Sequence, residues 1–249
     1  MSGAPARPRL GAAALAIAAA LFVLYPAVRP WTDEFTAAGA AAAMASPAWV
    51  ASHLFAMIGF LLVPLGLLAV RDLLAATRAE PVAFAAVAVG LLGTGLTLPY
   101  YGAEDFGLHA IAAEVGGDGP TDLLGLVEAV RFQPAAAATF LIGLLALGVA
   151  AVLTAVAVWR SGVLPRLAGV PFAAGFVLWV PQFYTAAPVR IGHGVLVGAG
   201  MAWLATVLWA AVPARWPTPG RRGRLGGEAD AGSTSRREDE RAGERTTTG

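Results

Sequence analysis

Three histidines, His53, His109 and His193, and two adjacent carboxylates, Glu104 and Asp105, are the side chains of this chain best suited to chemistry. Neutral imidazole binds zinc, copper and haem iron, and a carboxylate or carbonyl partner decides which ring nitrogen carries the proton. Asp105 stands four residues before His109, a spacing that puts carboxylate and imidazole on one face of a helix. These five residues form a candidate cluster, and haem or zinc is the cofactor such a set would hold. The simpler account is that His53 and His193 bond to neighbouring helices or water and that His109 is a solvated loop residue. There is no HExxH and no pair of histidines at i,i+4, which would be the sharper metal signature.

Other chemistry is narrowed by what the sequence lacks. Without cysteine there is no disulfide framework, thiolate metal site or thiol nucleophile. No GxSxG elbow is present, and Ser52 beside His53 does not make a triad, because neighbouring side chains diverge on a helix. Gly-Thr-Gly at 93–95 lies within an apolar run with no following Lys, so it is not a nucleotide loop. No residue is assigned a catalytic role.

The elements that must position these residues follow from composition. Of 249 residues, 57% are hydrophobic and 13% charged, and the mean hydropathy is +0.68, an excess of apolar surface that needs a lipid solvent. The expected fold class is all-α, a polytopic transmembrane helical bundle. Six apolar stretches approach the ~20 residues that cross a ~30 Å hydrocarbon core: 10–28, 49–70, 82–101, 135–159, 167–184 and 191–212. The first reads as a span rather than a secretory signal, since its apolar run exceeds the usual h-region.

All seventeen basic residues are Arg, and their placement orients the bundle. Arg7, Arg9, Arg71, Arg78, Arg160, Arg166, Arg215, Arg221, Arg222 and Arg224 fall on one side, which the positive-inside rule makes cytoplasmic. Only Arg29, Arg131 and Arg190 fall in the opposite loops, where the loop 102–134 is acidic. Both termini, including 1–9, are therefore expected inside, and every histidine is expected at the outer face. Trp31, Trp49, Tyr100, Tyr101, Phe183 and Tyr184 gather there too, as amphipathic rings do at the headgroup layer. No span carries an ionisable residue at its midpoint, which disfavours a proton-coupled transporter and leaves a carrier of an apolar substrate open.

Within the outer loop, Leu123, Leu124, Val127 and Val130 recur at helical spacing after a Gly- and Pro-rich turn, which predicts a short interfacial helix over 121–132. The segment 104–114 either continues the third span or forms another interfacial turn. Residues 213–249 turn to Pro, Gly, Arg, Ser, Thr and Glu, the composition of a disordered cytoplasmic tail. Small residues at Gly194 and Gly198, at Gly90, Gly93, Thr94 and Thr97, and at Ser52, Ala56 and Gly59 allow close helix approach. Packing inside one bundle is their simplest use, and homo- or hetero-oligomer contact the alternative.

Trp49, His53 and Gly59, with Pro99, Tyr100, Tyr101, Glu104, Phe106, Gly107 and His109, resemble uncharacterised six-span integral membrane proteins of high-GC actinobacteria. The resemblance implies no activity. The ordered His and Asp pattern of the membrane ceramidase and progestin-receptor-like hydrolases is missing, so their zinc residues are not carried over. The expectation is a multi-pass protein of the bacterial cytoplasmic membrane, non-catalytic, either a structural or accessory component or a carrier of an apolar ligand. The alternative is a metal- or haem-dependent enzyme working at the outer leaflet. Membrane lipids are the expected partners, and no nucleic acid is.

Overall fold

The computed structural model describes residues 6–116 and 120–212. The tail expected over 213–249 lies outside the described residues, as do 1–5 and 117–119. Every regular element among the described residues is helical. They are α1 (Ala6–Val28), α2 (Ala37–Met44), α3 (Pro47–Leu74), α4 (Glu80–Gly102), a π-helical turn (Ala103–Gly107), α5 (Leu108–Val115), α6 (Leu123–Arg131), α7 (Pro134–Ser161), α8 (Val170–Val177), α9 (Trp179–Gln182) and α10 (Ala187–Ala211).

Local chemistry sets several boundaries. Ser46 Oγ accepts the Trp49 N–H at 3.2 Å, with Pro47 at the first turn of α3. Gln133 Oε1 accepts the Ala136 N–H at 2.6 Å, with Pro134 opening α7. In both, the cap satisfies an orphan donor and proline occupies a position whose N–H has no helical partner. Gly162, at φ +70°, ends α7 in the left-handed region that a Cβ disfavours.

Five helices are long and apolar enough to cross a membrane: α1, α3, the 36-residue run from Glu80 to Val115, α7 and α10. Their flanks expose Leu61, Leu65, Leu91, Leu92, Ile142 and Leu145, while Leu15, Phe22, Phe60, Leu67, Phe172 and Met201 are buried. A bundle with large apolar side chains on its outside suits lipid, and the chain reads as membrane-embedded.

Glycine contacts give the directions of packing. A Cβ on Gly11 would strike Ala69, one on Gly66 would strike Leu15, and one on Gly59 would strike Phe22, so α1 and α3 run antiparallel. Gly194 meets Pro26 and Gly198 meets Ala19, which makes α10 antiparallel to α1. Gly93 and Gly143 place α4 against α7 backbone to backbone. The small-residue faces noted in the sequence are thus filled within the chain. Below, the end of the bundle at which α1 finishes and α3 begins is called the distal end.

The stretch 167–184, predicted as one helix, is two short ones joined at Leu178. In a continuous helix the Pro181 ring would clash with the carbonyl of Val177 and withhold the hydrogen bond owed to it. The broken segment still carries the chain along the bundle, since α7 packs antiparallel to α8 and α10 starts beside the distal end of α1. Pro99 has no such effect, and α4 passes through it into the π turn and α5. Of the two expectations for 104–114, the structure shows helical continuation. The helix predicted over 121–132 forms as α6, with Asp122 Oδ1 accepting the Gly125 N–H at 3.0 Å.

Candidate binding site at the distal end

The chain leaving α1 brings Arg29, Trp31 and Glu34 over the distal end of the bundle, where they meet the π turn, α6 and the start of α3. Arg29 Nη2 donates to Glu34 Oε1 at 2.6 Å, and Arg131 Nη2 donates to Glu34 Oε2 at 2.9 Å. Arg131 also donates to Glu104, from Nε to Oε1 at 2.7 Å and from Nη2 to Oε2 at 3.0 Å. The result is a continuous chain, Arg29, Glu34, Arg131, Glu104, that ties the α1–α2 connection to α6 and the π turn. Burial opposes the charge on Arg131, but Glu104 and Glu34 more than offset it and hold its pKa above the ordinary arginine value. This guanidinium is a permanent cation.

Trp49 forms the floor of the network. Its indole N–H donates to the Glu104 carbonyl at 2.9 Å, and the guanidinium of Arg29 stands 4.9 Å from its ring centroid. Arg29 also lies 4.8 Å from the Trp31 ring. Arg190, in the first turn of α10, approaches Trp31 at 4.8 Å, and its Nε donates to Gln182 Oε1 at 3.1 Å. A guanidinium over an indole gains cation–π attraction, more when water is excluded.

The three histidines are pinned separately. His53 Nδ1 lies 2.8 Å from the Trp49 carbonyl, His109 Nδ1 lies 2.7 Å from the Met44 carbonyl, and His193 Nε2 lies 2.7 Å from the Gly175 carbonyl. A carbonyl only accepts, so each of these nitrogens carries a proton. His53 packs among Tyr25, Trp49 and Tyr101, whereas His193 stands edge-on to Trp179 at 5.3 Å. Gly175 is in the last turn of α8, where carbonyls lack helical donors, so His193 caps the break before Pro181.

Glu104 joins the ion-pair chain, while its neighbour Asp105 faces elsewhere. Asp105 is fully buried, and neither carboxylate oxygen has a hydrogen-bond partner. The π turn makes this possible, since one extra residue per turn re-aims the side chains that follow. Among the described residues no three His, Asp or Glu side chains come together closely enough to hold a metal ion. The five candidate residues share one end of the bundle without converging on one point.

A small cleft lies beside the network, between α1, α9 and α10. Arg29, Trp31, Trp179, Gln182, Arg190 and His193 supply its polar lining, with Phe22 and Pro26 as apolar wall. Glu34 and Gln182 carry no sequence motif. A signal for the arginines did exist, because Arg29, Arg131 and Arg190 are the basic residues that depart from the cytoplasmic bias. A cation placed against that bias implies a local partner.

Comparison with protein families, with curated proteins and with solved structures returned no match for this chain.

Proposed function

We propose that this chain is a six-span, non-catalytic component of the bacterial cytoplasmic membrane, with both termini inside and the distal end at the outer face. Its role is that of an accessory or binding protein rather than an enzyme. The observation that carries this reading is the Arg29, Glu34, Arg131, Glu104 chain. Carboxylates that would serve acid–base chemistry are here engaged in joining the distal elements. Six spans are supported by the six lengthwise passes of the chain, counting α8 with α9 as one broken pass, and the orientation by the arginine distribution. A broken helix is tolerated at membrane depth where protein surrounds it, and Phe172, Phe176 and Trp179 are buried.

A reporter active only outside the cytoplasm tests the arrangement. Fusions at Gly116 and Thr185 should be active and a fusion at Gly162 silent. Silence at Thr185 would mean that α8 and α9 do not cross, and activity at Gly162 would reverse the orientation. A Soret band, or stoichiometric zinc or copper in the purified protein, would overturn the non-catalytic reading in favour of the metal or haem enzyme.

A further inference from the structure

We infer that the cleft between α1, α9 and α10 is an anion site that takes a phosphate oxyanion, its natural source being the headgroup of an anionic phospholipid. Arg29 is the first observation. It is 8% exposed and lines the cleft, and while Nη2 is committed to Glu34, its Nε–H has no hydrogen-bond partner. A buried guanidinium N–H left without an acceptor is costly unless something supplies one.

Arg190 is the second. No carboxylate among the described residues lies at ion-pair distance from it; its contacts are the Gln182 amide and the faces of Trp31 and Phe183. Arg29 and Arg131 are both paired with Glu34, whereas Arg190, which also lines the cleft, has no such carboxylate. Arg190 and His193 also stand in the first two turns of the 25-residue α10, where the helix dipole favours negative charge.

The planar donor forks of two guanidiniums match phosphate oxygens geometrically. The inference rests on the outer-face reading only for the depth of the cleft at the headgroup layer. The binding measurement in detergent is independent of orientation, so a failed topology would appear in the reporter fusions and a failed site here.

The test uses the full chain purified in a neutral detergent, with thermal unfolding followed by tryptophan fluorescence. Dioctanoyl phosphatidylglycerol, dioctanoylglycerol and sodium phosphate are titrated separately at matched ionic strength. Phosphatidylglycerol should raise the melting temperature saturably and dioctanoylglycerol should not. Arg190→Gln should weaken the apparent Kd at least about tenfold, the loss of a charge-assisted hydrogen bond, whereas Arg71→Gln near the opposite end should leave it unchanged. Arg190→Lys, which keeps the cation but loses the fork, should fall between and serves if Arg190→Gln does not fold. Stabilisation by sodium phosphate equal to that by the lipid would keep the site and assign it to the free ion. An equal response to dioctanoylglycerol, no response to either phosphate source, or an undiminished response in Arg190→Gln would each overturn the inference.

Discussion

Glu104 receives both arms of the Arg131 fork, at 2.7 and 3.0 Å, while its backbone carbonyl accepts the Trp49 indole N–H at 2.9 Å. One residue of the π turn therefore holds α6 through its side chain and α3 through its main chain. Charge-assisted bidentate pairs are the stronger class of hydrogen bond, and their planarity fixes direction as well as distance. Glu34 extends the pair to Arg29, so both carboxylates serve more than one element.

Removing one member should cost more than removing a matched pair. Arg131→Gln leaves Glu34 and Glu104 facing the single cation Arg29, and the expected loss is about 3 kcal/mol, that of breaking a largely buried ion pair. In a Glu104→Gln background the same substitution should cost markedly less, because the orphaned charge has gone. Unfolding in detergent measures both. A change below about 0.5 kcal/mol for Arg131→Gln, the level of an ordinary surface substitution, would show the network to be energetically idle.

Asp105 should behave in the opposite way to its neighbour. Both its oxygens are buried without partners, so Asp105→Asn removes an unpaired carboxylate without changing its shape. The substitution should raise stability, by about 1 kcal/mol or more given the cost of burying an unpaired charge. Glu104→Gln should lower it in the same assay. Equal destabilisation by both variants would mean that Asp105 holds a partner of its own.

Glycines in α4 provide a pair of contrasting sites. A Cβ on Gly93 would lie 2.8 Å from the Leu147 nitrogen and 2.9 Å from the Gly143 oxygen, whereas one on Gly95 meets nothing within 4 Å. Backbone atoms cannot rotate away, so Gly93→Ala must separate α4 from α7 and should cost about 1–3 kcal/mol. Gly95→Ala should be neutral or gain up to ~1 kcal/mol from helix propensity. Reversal of that order in melting temperature would show that the two helices do not pack through Gly93.

The bundle was legible in the sequence because lipid imposes a simple rule, long apolar runs that satisfy their own backbone. That rule located α1, α3, α4, α7 and α10, and helical spacing located α6. It did not foresee the break at Leu178, because Pro181 stands only three residues before the end of its apolar run, nor α2, whose run of small residues resembles a loop. At the distal end, residue type singles out His53, Glu104, Asp105, His109 and His193 but does not give their grouping. Which of them meet depends on the one-residue offset of the π turn and on the path of the α1–α2 connection. Glu34 lies on that path with no periodic neighbour to mark it.

His193 makes the final prediction, since its Nε2–H to the Gly175 carbonyl, at 2.7 Å, is a hydrogen bond joining α10 to α8 in the broken segment. His193→Leu keeps the side chain's bulk but leaves that carbonyl in the last turn of α8 without its donor, at a cost of about 1–3 kcal/mol for a buried group left unsatisfied. His193→Gln brings an amide NH₂ of similar reach and should restore part of the loss, because a neutral donor is all that the carbonyl requires. Melting is compared in detergent free of phospholipid, so that any contribution of His193 to the anion cleft does not enter. If His193→Leu melts with the wild type, or His193→Gln is the less stable of the two variants, the carbonyl is satisfied in another way and the histidine is free for ligand.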